Sequence, residues 1–126
     1  MSAFVTEEWR PIPGFAGYFA SSEGRIASEA KDGRRRVLRQ WAITTEHRGQ
    51  TYVYPAVCLR RDNKQRCHRS VGRYVLMAFS GKDDSRLVCR HEDNDPFNNA
   101  PSNLVWGTPR DNARDRTAKV ALGRGT

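Results

Sequence analysis

The chain has little with which to enter a membrane. No window of its 126 residues approaches the ~18 consecutive apolar residues that a spanning helix needs. Its first residues, Met1-Ser2-Ala3-Phe4-Val5-Thr6-Glu7-Glu8, lack a basic segment leading into an apolar run, so neither an export signal nor a membrane partner is expected. Cysteine is scarce. Cys58, Cys67 and Cys89 are odd in number and widely spaced, which disfavours a disulfide framework and fits reduced thiols in the cytoplasm. They also lack the two-residue spacing of a zinc knuckle. A structural zinc gathered from Cys58, Cys67, His68 and Cys89 is therefore disfavoured, with buried thiols and a hydrogen-bonded histidine at a helix start expected instead. Repeats and low-complexity linkers are missing as well, so one domain, or a small domain with an appended module, is expected, with a soft boundary between residues 30 and 50.

What the chain has in excess is positive charge. Its 22 Lys and Arg outweigh 14 Asp and Glu for a formal net charge of +8, and the arginines cluster rather than scatter. Such a field attracts polyanions, and nucleic acid is the commonest polyanionic partner of a basic domain. Hydrophobic residues make up 37%, with three Trp, five Phe and four Tyr. That supports a modest core and an α+β chain rich in loops, with the tryptophans read as core.

In chain order, Trp9-Arg10-Pro11-Ile12-Pro13-Gly14-Phe15 predicts an irregular or short extended segment packed through its rings. Tyr18 to Ser28, with Gly24 closing a polar turn, predicts a hairpin. Lys31-Asp32-Gly33-Arg34-Arg35-Arg36 is a turn running into a basic stretch, either a solvated loop or a phosphate-contacting one. Tyr52 to Arg60 and Gln65 to Arg69 flank the turn Arg61-Asp62-Asn63-Lys64 and predict a second hairpin, with Pro55 placing its first strand at a sheet edge or at the start of pairing. From Ser70 the apolar period changes to three and four residues through Val71, Tyr74, Val75, Ala78 and Phe79, predicting a helix that ends at Ser80-Gly81. Thr108-Pro109-Arg110-Asp111 then writes a second helix start, with a cap, a proline at the first position and an acid three residues on.

Between these two helices lies the densest polar stretch, Val88-Cys89-Arg90-His91-Glu92-Asp93-Asn94-Asp95, followed by Asn98-Asn99 and Ser102-Asn103-Leu104-Val105-Trp106. It reads as strand, polar loop, strand, helix. His91 ends the first strand, Asn103 opens the second and Asn112 falls in the first helical turn, so the three side chains converge. This pattern resembles the HNH endonuclease motif. Upstream, His68-Arg69-Ser70-Val71 and Ala78-Phe79 are similar to the histidine-led helix that precedes it in phage and intron-encoded HNH proteins. Trp9, Pro11-Ile12, Gly14-Phe15, Tyr18, Ser21 and Gly24-Arg25-Ile26 resemble the nuclease-associated modular DNA-binding (NUMOD-type) motif of HNH homing endonucleases. Together the two resemblances cover most of residues 7 to 115.

The resemblance implies an α+β fold: a small N-terminal β-rich module over residues 1–45, then an HNH domain over 46–126. The ββα-metal core of that domain would span about residues 86–120, braced by the preceding hairpin and helix. It implies a nuclease that nicks or cuts double-stranded DNA, acting in the cytoplasm of a bacterial host and encoded by a phage or mobile element. His91 would take a proton from the attacking water, leaving 5′-phosphate and 3′-hydroxyl ends. Asn103 would tie the loop and orient the histidine, and Asn112 would ligate one divalent cation, Mg²⁺ first and Mn²⁺ in its place. Arg25, Arg34, Arg35, Arg36, Arg60, Arg61, Arg110 and Arg114 are the expected DNA contacts. A homodimer or protein partner is left open. One position departs from the pattern: Arg90 stands where a second metal ligand is usual, and a guanidinium cannot bind a cation. Either Asn112 is the sole protein ligand and Arg90 a phosphate clamp, or the chain is an inactive HNH-fold protein that binds DNA.

Overall fold

A computed structural model describes residues 6–110. Three antiparallel sheets surround one helix. The first is a four-stranded meander of β1 (Trp9–Pro11), β2 (Tyr18–Ser21), β3 (Ile26–Glu29) and β4 (Arg35–Val37), paired in that order. The second joins β5 (Trp41–His47), β6 (Gln50–Arg60) and β7 (Arg66–Ser70). Helix α1 (Val71–Ser80) follows, and β8 (Val88–His91) then pairs with β9 (Leu104–Gly107).

The β2–β3 hairpin forms because Ser21 and Gly24 solve its turn locally. The fully buried Ser21 Oγ accepts from the backbone N–H groups of Glu23 and Arg25, each at 3.1 Å. Gly24 takes φ +78°, a backbone state that costs glycine least. In the β6–β7 hairpin, Lys64 occupies the left-handed position at φ 70° while Arg61 N–H closes on Gln65 O at 2.8 Å.

Helix α1 starts at Ser70, whose hydroxyl accepts from Arg73 N–H, and stops at Gly81 in the left-handed conformation, whose N–H returns to Met77 O. Its burial exceeds the single stripe read from the sequence. Gly72, Leu76 and Met77 are buried together with Val71, Tyr74, Val75 and Ala78, because strands from all three sheets pack against it. One core results, joining Ile12, Phe15, Ala20 and Ile26 to Val57, Leu59, Val71, Tyr74, Val75, Met77 and Leu104. The expected boundary after residue 45 falls inside β5, and this core takes side chains from both sides of it.

Several local expectations are settled by the strands. Of the two places expected for Pro55, the sheet edge is wrong, since β6 is the central strand of its sheet, and the start of pairing is right, since pairing with β7 begins one residue on at Ala56↔Ser70. Arg35 and Arg36 lie in the outer strand β4 rather than in a loop. His68 lies in β7, two residues before the helix cap, with its ring edge-on to Trp41 at 6.4 Å. Trp41 is not core, since 45% of it is exposed. No helix among the described residues is long and apolar enough to cross a membrane.

Candidate functional site

The helix holds the β8–β9 hairpin by polar ties as well as by packing. Arg73 donates to Leu87 O at 2.8 Å, Asp84 O at 3.0 Å and Asp83 Oδ1 at 3.0 Å, and its guanidinium lies over Trp106 at 5.0 Å. Trp106 Nε1 donates to Ser80 Oγ at 3.1 Å. The two strands that carry the polar stretch are thus fixed to the most buried element of the fold.

His91 ends β8 opposite Leu104, and the chain then turns through a loop that returns at Asn103. That loop is closed by side chains. Asn103, buried, donates from Nδ2 to Asp93 Oδ1 and to Asn98 O, both at 2.8 Å, and its Oδ1 accepts from Asp93 N–H at 3.1 Å. Asp93 Oδ2 accepts from Asn98 Nδ2 at 2.7 Å, and Asp93 Oδ1 also takes the Asp95 N–H at 2.8 Å. These donors hold the Asp93 carboxyl at about 2, with the Asn98 amide contributing most. Asn94 makes the turn at φ 61°, a conformation asparagine tolerates.

The imidazole itself is held by Asn99. His91 Nε2 lies 2.7 Å from Asn99 Oδ1, and Asn99 is only 5% exposed. The expectation that Asn103 orients the histidine divides in two here: Asn103 fixes the loop, and the amide on the ring belongs to Asn99. Sequence offered only the Asn98-Asn99 pair within the motif; which of several asparagines meets the ring depends on the path of the loop. Gly72 makes the approach feasible, since a Cβ there would sit 2.7 Å from Asn99 Oδ1 and 3.0 Å from His91 Nε2.

Arg90 precedes His91 on β8 and pairs with Val105. Its stem crosses Gly107, where a Cβ would lie 2.1 Å from Arg90 Cδ. Cys89 is partly buried, and that burial pushes its thiol up to about 12. Asp93 has both oxygens committed to the loop, and among the described residues no group of three or more His, Cys, Asp or Glu side chains could hold a metal ion. Asn112, the expected ligand, lies with Arg114 outside the described residues. The described side chains around His91 therefore do not by themselves fit a cation.

The expected DNA-contacting arginines differ in how far the fold has already engaged them. Arg25 donates through both Nε and Nη2 to Glu7, the former at 2.8 Å, and lies over Trp9. Arg35 pairs with Glu29 at 3.0 Å and covers Phe19. Arg34 meets Asp32 at 3.3 Å, and Arg61 lies over Phe15 at 5.0 Å. Arg36, Arg60 and Arg110 are exposed. Arg60 stands directly across from Arg66 in the β6–β7 ladder, and Arg66 was not among the expected contacts. The turn read from the sequence, Arg61 to Lys64, would have set Arg60 against Gln65; the ladder instead pairs Arg61 with Gln65 and so Arg60 with Arg66.

The NUMOD4 motif family matches residues 7–76, more than half of the chain. No curated protein matches the sequence. The solved structure of I-HmuI, an HNH homing endonuclease that binds and cleaves DNA, is similar at 25% identity with a TM-score of 0.64. The similarity covers 89% of this chain and 59% of that one, so this chain spans less than two thirds of its length. The N-terminal meander, the central helix and the hairpin whose first strand ends in His91 thus have a common explanation: the chain belongs to the NUMOD4 motif family and has the α+β fold of an HNH homing endonuclease.

Proposed function

We propose that this chain is a DNA endonuclease of the HNH type, in which His91 takes a proton from a water molecule as that water attacks a phosphodiester. The products would be a 5′-phosphate and a 3′-hydroxyl. The observation that carries this reading is the fixed imidazole at the end of β8. Its Nε2 is held by the buried Asn99, which leaves Nδ1 as the nitrogen to act as base. Residues 1–45 would share the grip on duplex DNA with the β6–β7 hairpin, and residues 46–126 would also carry the chemistry. A divalent cation, Mg²⁺ or Mn²⁺, held by Asn112 and water, would offset charge on the phosphate.

Phosphate contact is supported by the Arg60↔Arg66 pair. Like charges placed directly across a ladder repel, and a polyanion removes that cost. With Arg36 and Arg110, these exposed cations would supply contacts independent of sequence.

The test is nicking of supercoiled plasmid by purified protein with Mg²⁺, with EDTA, and with His91→Ala. Activity that needs metal and falls roughly 10²- to 10⁴-fold without the imidazole is expected. Binding without cutting in Mg²⁺, Mn²⁺ and Ni²⁺ alike would sink the enzyme. It would favour the second reading, a DNA-binding protein that retains the HNH fold, for which the cation Arg90 beside His91 is the specific argument.

A further inference from the structure

We infer that Asn99 is the positioning residue of His91, fixing the hydrogen on Nε2 so that Nδ1 presents its lone pair. The inference rests on the nuclease reading for its purpose but on geometry for its content. An amide oxygen can only accept, so the 2.7 Å contact between Asn99 Oδ1 and His91 Nε2 places the hydrogen on Nε2. A neutral imidazole with one hydrogen so placed has its free lone pair on Nδ1.

Asn99 can do this because it is clamped from two sides. Gly72, in the first turn of α1, leaves no side chain between the helix and the His91–Asn99 pair. Gly24, in the β2–β3 turn, approaches the backbone end of the same residue: a Cβ there would lie 3.1 Å from Asn99 Cβ and 3.3 Å from its carbonyl carbon. Gln40 Nε2 in turn donates to Gly24 O at 3.0 Å. The N-terminal sheet therefore reaches the imidazole through a single residue. A brace of this kind, made of backbone against one buried amide, sets the ring orientation without adding charge to it.

The test uses the full chain, labelled with ¹⁵N, and reads the imidazole tautomer at pH 8 by long-range ¹H–¹⁵N correlation. The signals of His91 among the three histidines are identified by their loss in His91→Ala. Wild type is expected to carry hydrogen on Nε2 alone. Asn99→Ala should give a mixture of tautomers and lower plasmid nicking roughly 10- to 100-fold, the usual range for removing an orienting partner. Asn99→Asp keeps shape and acceptor, and should keep the Nε2–H tautomer. Gly72→Ala, which puts a better helix former in α1 while driving a Cβ into the pair, should lose it. Hydrogen on Nδ1 in the wild type, an Asn99→Ala spectrum identical to wild type, or loss of the Nε2–H form in folded Asn99→Asp would each overturn the inference. If the tautomers behave as expected but the wild type does not nick DNA, the nuclease reading fails and the positioning of His91 by Asn99 stands.

Discussion

At position 90 the chain puts a guanidinium where the HNH pattern leads one to expect a metal ligand, and the fold makes room for it. Gly107 is the accommodation: any side chain there would collide with the Arg90 stem, at 2.1 Å from Cδ and 3.0 Å from Cγ. If Arg90 clamps the scissile phosphate, Arg90→Ala removes one charge-assisted hydrogen bond, worth about 1.5–3 kcal/mol. Nicking should then drop roughly 10- to 100-fold. Gly107→Ala should reproduce part of that loss by pushing the stem aside. A rise in nicking in Arg90→Ala would show the arginine to be an obstacle instead. Asp93 offers a residue-scale test of the loop. Its carboxyl is lowered from an ordinary 3.8 to about 2, by Asn98 first and then by Asp95 N–H and Asn103. A carboxylate depressed in the folded state adds stability that is fully present above its unfolded value and fades as pH falls through its folded one. Asp93→Asn should therefore melt below wild type at neutral pH. Its melting temperature should also fall less between pH ~4 and ~2, as followed by circular dichroism.

Among the elements, α1 has the largest structural task, because the β8–β9 hairpin hangs on Arg73 and Ser80 while the core wraps both its flanks. Its start depends on the Ser70 hydroxyl accepting from Arg73 N–H. Ser70→Ala should cost about 1 kcal/mol, visible as a lower urea midpoint at unchanged slope. This helix was legible in the sequence because its cap, its period and Gly81 are all local signals. The β2–β3 and β6–β7 hairpins were legible for the same reason, as was the β8–loop–β9 unit through its polar residues. Strand β5 was not. Trp41 to Glu46 is exposed along most of its length, so the burial that would impose alternation is missing, and its register with β6 is set by pairing across Arg48-Gly49. The amide that holds His91 was equally hidden. The choice between Asn99 and Asn103 is made by a loop path that depends on Gly24 and Gly72, which are 75 and 27 residues from Asn99 in the chain.

For the molecule as a whole, the +8 charge says less than where its cations already have partners. Arg25, Arg35, Arg69 and Arg73 are engaged with Glu7, Glu29 and Asp83, so much of the arginine excess holds the fold together. Arg36, Arg60 and Arg66, by contrast, are exposed, and on the proposed reading they are the charges offered to DNA. Affinity for duplex DNA should fall linearly on a logarithmic salt scale, with each neutralised phosphate contributing about 0.9 to the slope. Removing Arg60 and Arg66 together should flatten that slope by about 2. The double variant should lose no stability, since it relieves a like-charge pair across the ladder. Arg25→Ala should do the reverse, leaving the slope intact while lowering the melting temperature through loss of its contacts with Glu7 and Trp9. Fluorescence anisotropy titrations from 50 to 300 mM salt, set beside thermal melts of the same variants, decide it. If Arg25→Ala flattens the slope and the Arg60, Arg66 variant does not, DNA lies on the N-terminal sheet rather than on the β6–β7 hairpin.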